Sequence, residues 1–276
     1  VPAIWDAVRY SVDQKSDVGR YILTGSSTPQ NKGVLHSGTG RIASLPMHPM
    51  SLWESGDSCG LVSLADVCDG RDIGVQNMEC PSVDRLVSLV VRGGWPGALG
   101  KSDAQAMAIP REYVENVIRI DIQKLDDVAR DPVKVRKCLR SLARNESTTV
   151  STATIRSDIA EFDDTSMGIN TVTAYLAAFR RLFLTHDTEP FSPFLRSPSR
   201  VKQQAKRRFC DPSIAAALLG ATPAMLLRDL RTFGFLFESL VVRDLEIYAE
   251  SMDAKLYHYQ DYDNDEFDAV LQFPDG

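Results

Sequence analysis

The stretch YHYQDYDNDEFDAVLQF, Tyr257 to Phe273, sets five carboxylates (Asp261, Asp263, Asp265, Glu266 and Asp268) into eight positions and then turns apolar. Clustered carboxylates hold hard divalent cations, and the same residue types also build solvated turns. An EF-hand needs Gly at its sixth loop position and a bidentate Glu at its twelfth. Counted from Asp261, those places carry Glu266 and Gln272, so the stretch does not read as an EF-hand. Asp261, Asp263 and Asp265 read as a hairpin tip, where short polar side chains favour tight turns.

The one basic cluster lies upstream. In PFSPFLRSPSRVKQQAKRR, Arg196, Arg200, Lys202, Lys206, Arg207 and Arg208 occur with no acid between them. Such a run can neutralise nucleic-acid phosphates, and its Pro and Ser content equally marks a linker. No G-x-x-x-x-G-K-[ST] loop is present; GVLHSGTGR, from Gly33, has no Lys after its glycines, so the chain alone is not expected to bind a nucleoside triphosphate well. None of the four histidines (His36, His48, His186, His258) has a patterned Ser or Asp partner.

Elements to position these groups follow from periodicity. The opening VPAIWDAVRYSVD spaces Ile4, Trp5, Val8 and Val12 as one helical face. It has no initiator Met and begins inside a pattern, while LQFPDG ends on a turn signal, so both termini read as cut. Tyr21 to Leu23 and Arg41 to Leu45 read as strands, which with the helix make the beat of an α/β layer. From Ser82 the period is helical: SVDRLVSLVVR halted by Gly93 and Gly94, then IPREYVENVIRIDIQKLDDVAR, with Pro110 in its first turn. Helices are expected over 132–144, 152–160 and 170–183. A helix, helix, helix, strand order from Val133 to Asp187 is what a winged helix needs, and a generic helical lid has the same periodicity. Beyond the basic run come a short strand and helix in RFCDPSIAAALLG, a long helix, and two strands joined by the acidic turn.

At 276 residues, 43% hydrophobic and 25% charged, the chain has the makeup of a globular protein of about two domains. Its net charge of -6 gives no global pull toward nucleic acid. Five scattered cysteines, an odd number without paired spacing, read as free thiols in a reducing, cytoplasmic compartment. No apolar run is long enough for a membrane span.

In order, VPAIWDAVRYSVD, GRYILTGSS, SGTGRIASLPMHPMSLWESG, VRGGWPGAL and IPREYVENVIRIDI closely resemble prokaryotic AAA family 14 ATPases. FCDPSIAAALLG, DLRTFGFLFESLVVRDL and YHYQDYDNDEFDAVL resemble the domain of unknown function 4143 that follows the ATPase domain in those proteins. The resemblance implies a partial P-loop ATPase α/β layer over residues 1–80, a helical lid and winged-helix-like domain over 81–195, and an incomplete PD-(D/E)XK nuclease-like α/β domain over 196–276. The Walker A and Walker B elements of such a parent would lie before Val1. ATP and Mg²⁺ would serve the whole parent, and the fragment is expected to hold neither and to be inactive as an ATPase.

Residue roles follow by the same likeness. Thr24, with Ser26 and Ser27 behind it, falls where such ATPases hold a sensor near the γ-phosphate, and Arg41 where a guanidinium can neutralise charge in phosphoryl transfer. Either could instead be structural, Thr24 closing a strand and Arg41 pairing with a carboxylate. Glu238, on a helix, and Asp268, on a strand, match two metal ligands of the nuclease-like site, for which oxygen donors suit Mg²⁺. The strand carrying the Glu-x-Lys would follow Gly276. Gln260 replaces a frequent Arg of that family and Asp265 a turn Gly, which alters the site's electrostatics. The resulting expectation is an ATP-driven protein acting on or near nucleic acid, with homo-oligomers in view; a metal-dependent nuclease and a non-enzymatic DNA-binding module are the alternatives.

Overall fold

A computed structural model describes residues 2–14, 19–27, 40–75, 80–126, 128–160, 167–193, 203–261 and 265–274. The fold is mixed α/β, rich in helix, with one two-stranded antiparallel sheet among the described residues. Helix α1 (Pro2–Asp13) and the short α2 (Leu64–Cys68) belong to the first eighty residues, and the other described residues of that region are irregular. Neither expected strand forms there. Tyr21, Ile22 and Leu23 run extended but 48%, 89% and 39% exposed, and Leu45 is 92% exposed. A β-prone run becomes a strand only when a neighbour takes its backbone groups, and among the described residues no strand lies beside these two.

The helical body is built from α3 (Val83–Arg92), α4 (Asp103–Asn116), a π-helical turn (Val117–Asp121) leading into α5 (Ile122–Lys124), α6 (Pro132–Arg144), α7 (Thr152–Ala160) and α8 (Ile169–Arg181). Side-chain caps start several of them: the Ser82 hydroxyl accepts from Arg85 N, and the Asp131 carboxylate accepts from Val133 N with Pro132 in the first turn. Pro110 is not in a first turn. Ser102 and Gln105 form a capping box, so α4 begins at Asp103 and Pro110 lies buried in its interior.

Helix α9 (Pro212–Leu219) is buried nearly all round and packs against α3, α4, α6 and the long α11 (Leu230–Glu250), with the one-turn α10 (Pro223–Leu226) between. Its alanines let four helices approach closely. One hydrophobic cluster joins Val90, Leu139, Phe179, Phe209, Ile214 and Leu240, so the core runs without a break across position 195.

The motif RGGWPG exists for this packing. Gly93 ends α3 at φ 70, a conformation that favours glycine, and a Cβ there would collide with the Asp211 and Ser213 side chains. Asp211 caps α9, accepting from Ser213 N at 2.9 Å and Gly94 N at 2.8 Å, and pairs with Arg243 of α11 at 2.7 Å. Arg243 also holds Asp244 at 2.6 Å, whose other oxygen accepts from Leu52 N at 2.8 Å. Arg243 and Asp211 are 1% and 0% exposed, so this fully buried network ties the start of the body to its last helix.

The expected hairpin is present: β1 (Lys255–Gln260) pairs antiparallel with β2 (Glu266–Gln272). Asp265 N donates to the Asp261 carboxylate at 2.9 Å and Asp261 N to Asp265 O at 3.1 Å, which closes the turn; Asp263 lies outside the described residues. Between the Tyr257–Val270 and Tyr259–Phe267 pairs β2 carries an extra residue, a bulge at Asp268 and Ala269.

Candidate functional site

Residues 206–210 run extended between two loops. Lys206 N and O bond Thr188 O and N at 2.9 and 2.8 Å, Arg207 N donates to Thr148 O at 2.8 Å, and Cys210 N to Leu184 O at 3.0 Å. Successive side chains of extended chain point to opposite sides. Arg207 therefore turns toward α7 and Val150, while Lys206 and Arg208 turn toward α11. On α11, Glu238 and Glu246 lie eight residues apart on nearly one face, and each meets one of these two cations.

The two carboxylates expected from the nuclease resemblance are brought together around Lys206. Its Nζ lies 3.0 Å from Glu238 Oε1, 2.7 Å from Asp268 Oδ1 and 2.5 Å from Glu266 Oε1. The helix supplies Glu238 and the bulged strand supplies Glu266 and Asp268. The Lys206 side chain is 9% exposed, whereas those of Glu266 and Asp268 are 42% and 57% exposed. The centre is thus a buried ammonium under a half-open acidic face.

Burial works against the Lys206 charge, but Asp268, Glu266 and Glu238 outweigh it and hold the lysine above its ordinary value. Burial also lifts the Glu238 carboxyl above the usual carboxylate range; Lys206 pulls it back, and the Asp268 and Glu266 charges add to the rise. His258 is buried nearby. Its Nε2 donates to Gln204 O at 3.1 Å, its Nδ1 has no hydrogen-bond partner, and burial pushes the ring below its ordinary value. One lysine against three carboxylates leaves a formal surplus of two negative charges, and all the acidic donors are oxygens, the type a hard divalent cation takes; the ammonium itself occupies the centre of the trio, so a cation held by Glu238, Glu266 and Asp268 would need their side chains to shift.

The other expected site residues are not gathered here. Thr24 and Ser26 sit exposed in irregular chain, and Arg41 pairs with Asp13 at the end of α1. Arg196, Arg200 and Lys202 lie outside the described residues. The remaining three cations of the basic run are not a free surface patch: carboxylates engage Lys206 and Arg208, and Arg207 donates to Val150 O at 2.9 Å and pairs with Asp187 at 3.5 Å. The alternation of extended chain turns them inward, a tertiary effect that charge counting misses. Sequence reasoning placed Lys206 on nucleic acid and Glu266 nowhere in the site; the i, i+2 repeat of Lys206 and Arg208 against the i, i+8 repeat of Glu238 and Glu246 was the available signal.

Comparison with known proteins yields one family. No curated protein and no solved structure matches the chain. A family model described as Domain of unknown function (DUF8612) matches residues 83–224, from α3 into α10 and just over half of the chain. The match contains Lys206, Asp211 and the RGGWPG motif, while Glu238, Glu266 and Asp268 follow it. The chain therefore belongs to the family defined by the Domain of unknown function (DUF8612).

Proposed function

We propose that this chain is the effector portion of an ATP-driven protein that works on nucleic acid, and that its reacting centre is the cluster of Lys206, Glu238, Glu266 and Asp268. One observation carries the reading: acids from a helix and a bulged strand, 32 and 62 residues from the lysine, converge on one ammonium. An ammonium can donate to three acceptors, so hydrogen bonding alone allows this arrangement. Three carboxylates on one lysine repel one another unless a second cation relieves them, and the half-open face lets such a cation in. A divalent ion held there would polarise a phosphodiester and activate water. Lys206 would neutralise developing negative charge beside it, as a fixed cation in a partly dry site.

The ATPase assignment rests on the resemblance to AAA family 14, carried by motifs from VPAIWDAVRYSVD to IPREYVENVIRIDI. ATP is proposed as a ligand of the whole parent, and this chain by itself as inactive toward it. Nucleic acid is favoured as the substrate class by the phosphodiester chemistry of such a centre rather than by a basic surface.

The test is Mn²⁺ binding to the full chain, followed by electron paramagnetic resonance, beside cleavage of plasmid and single-stranded DNA. Asp268→Asn is expected to weaken Mn²⁺ binding by about tenfold or more. Mn²⁺ uptake unchanged in both Asp268→Asn and Glu238→Gln would remove the metal centre; metal uptake without any DNA cleavage or binding would remove the substrate class.

A further inference from the structure

A second group of side chains meets further along α11. His48 comes from the irregular segment 41–50, His186 from the extended chain after α8, and Glu246 from α11 itself. One donor atom from each lies within 4.8 Å of the others. His186 Nε2 is 3.0 Å from Glu246 Oε1, and His48 Nε2 is 3.0 Å from Oε1 of Glu250, one turn further along the helix. The two imidazoles stack, with centroids 6.1 Å apart and planes 22° from parallel.

Ion pairing accounts for each His–Glu contact singly. Pairwise contacts do not by themselves bring donor atoms of both rings and of Glu246 within 4.8 Å of one another, the arrangement in which one cation could be shared. Tetrahedral zinc, with bonds of about 2.0–2.1 Å, sets its ligand atoms about 3.3 Å apart. The donors here are therefore at most about 1.5 Å too widely spaced, and the His186 side chain is 42% exposed.

We propose that His48, His186 and Glu246 bind a first-row transition dication, zinc above all, with a fourth position open to water. Two imidazole nitrogens and one carboxylate oxygen are the borderline donor set that zinc takes in three-ligand sites. The choice of donors separates this site from the all-oxygen centre at Lys206, and the proposal does not rest on that centre. Outer partners are in place. Arg208, 3% exposed at its side chain, takes the second Glu246 oxygen and donates from Nε to Thr188 Oγ1 at 3.1 Å, which fixes the carboxylate. Glu250 orients His48 from outside. The ion would clamp segment 41–50 to the body just before Met50, whose N donates to Gly94 O at 2.9 Å.

Zinc uptake by the whole chain after chelator treatment tests this. The background carries Cys59→Ser, Cys68→Ser and Cys80→Ser, since these exposed thiols would otherwise capture zinc. One equivalent of zinc is expected, with a rise in melting temperature that Mg²⁺ does not give. Cobalt substitution is expected to give visible d–d bands without a sulfur charge-transfer band. His186→Ala, at a half-exposed side chain that the fold can spare, is expected to weaken binding by more than about tenfold, and Asp268→Asn to leave it intact. Glu246→Gln is the second variant, since an uncharged but polar side chain still faces Arg208. No zinc uptake, uptake that survives the double variant His48→Ala/His186→Ala, or loss in Asp268→Asn instead of His186→Ala would overturn the proposal.

Discussion

Two charged clusters hang on the same helix, five residues apart, and solve opposite problems. Around Arg243 the carboxylates of Asp211 and Asp244 meet a guanidinium, backbone N–H groups of Gly94, Ser213 and Leu52, and the Ser213 hydroxyl. Its members are almost wholly removed from water, so their charges hold position and have no access to a solute. Around Lys206 three acids share one base, and two of the three reach solvent. Around Arg243 one base meets two acids away from water; around Lys206 one base meets three acids, two of them open to solvent, and the proposed binding site rests on that open surplus.

The sharpest way to break the comparison is to remove the cation of each cluster. Arg243→Met leaves two buried carboxylates facing each other and is expected to cost about 3–5 kcal/mol in urea denaturation. Lys206→Met is expected to cost less and to tighten Mn²⁺ binding, because the ammonium no longer competes for the acids; weaker Mn²⁺ binding in that variant would remove Lys206 as a competitor of the ion. If Lys206→Met proves as damaging as Arg243→Met, the centre is a joint and not a site.

A third acid tests what a buried carboxylate does without a cation pressed against it. Glu146 accepts from Phe209 N at 3.0 Å and Ser239 Oγ at 2.7 Å, and burial raises it to about 8 from an ordinary 4.5. The folded chain therefore binds this proton more tightly than the unfolded chain. The stability it carries is full below about 4.5 and is lost as pH rises through about 8. Stability is expected to fall by up to about 1.4 kcal/mol per pH unit inside that window. Glu146→Gln should flatten the slope in melts taken between pH 5 and 8.5; an equal slope in the variant would assign the effect elsewhere.

Smaller effects sharpen the contrast. Gly93→Ala puts a side chain at φ 70 against Asp211 and Ser213, and about 1–3 kcal/mol is expected from the backbone alone. Asp268→Asn, at a half-open acid, should change stability by less than about 1 kcal/mol while weakening Mn²⁺ binding by about tenfold or more. A large stability loss there would move Asp268 to the scaffold side.

Much of the helical body was legible in the sequence, because its signals are local. Asp131 with Pro132 and the Asp211-Pro212-Ser213 start both announce helices within three residues. Pro110 misled, since proline is common in first turns, and the Ser102–Gln105 box a turn and a half earlier was the stronger signal. The strands read at Tyr21 and Arg41 failed because β-propensity states what a residue tolerates, not whether a partner exists. Glu238 and Asp268 were named together only through resemblance to a family. Their actual partner, Lys206, and the meeting of His48 with Glu250, 202 residues away, are products of packing that no window of sequence encodes.

The unbroken core has a consequence for anyone who would divide this protein. Phe209, Ile214, Leu236 and Leu240 complete a cluster begun by Val87 and Val90, and residues 206–210 are laced to the loops at 147–148 and 184–188. A single proteolytic nick between residues 193 and 203 should leave both pieces migrating together on a sizing column. Expressed separately, the halves should be insoluble alone and recover a shared fold on mixing, the behaviour of a split reporter rather than of beads on a string.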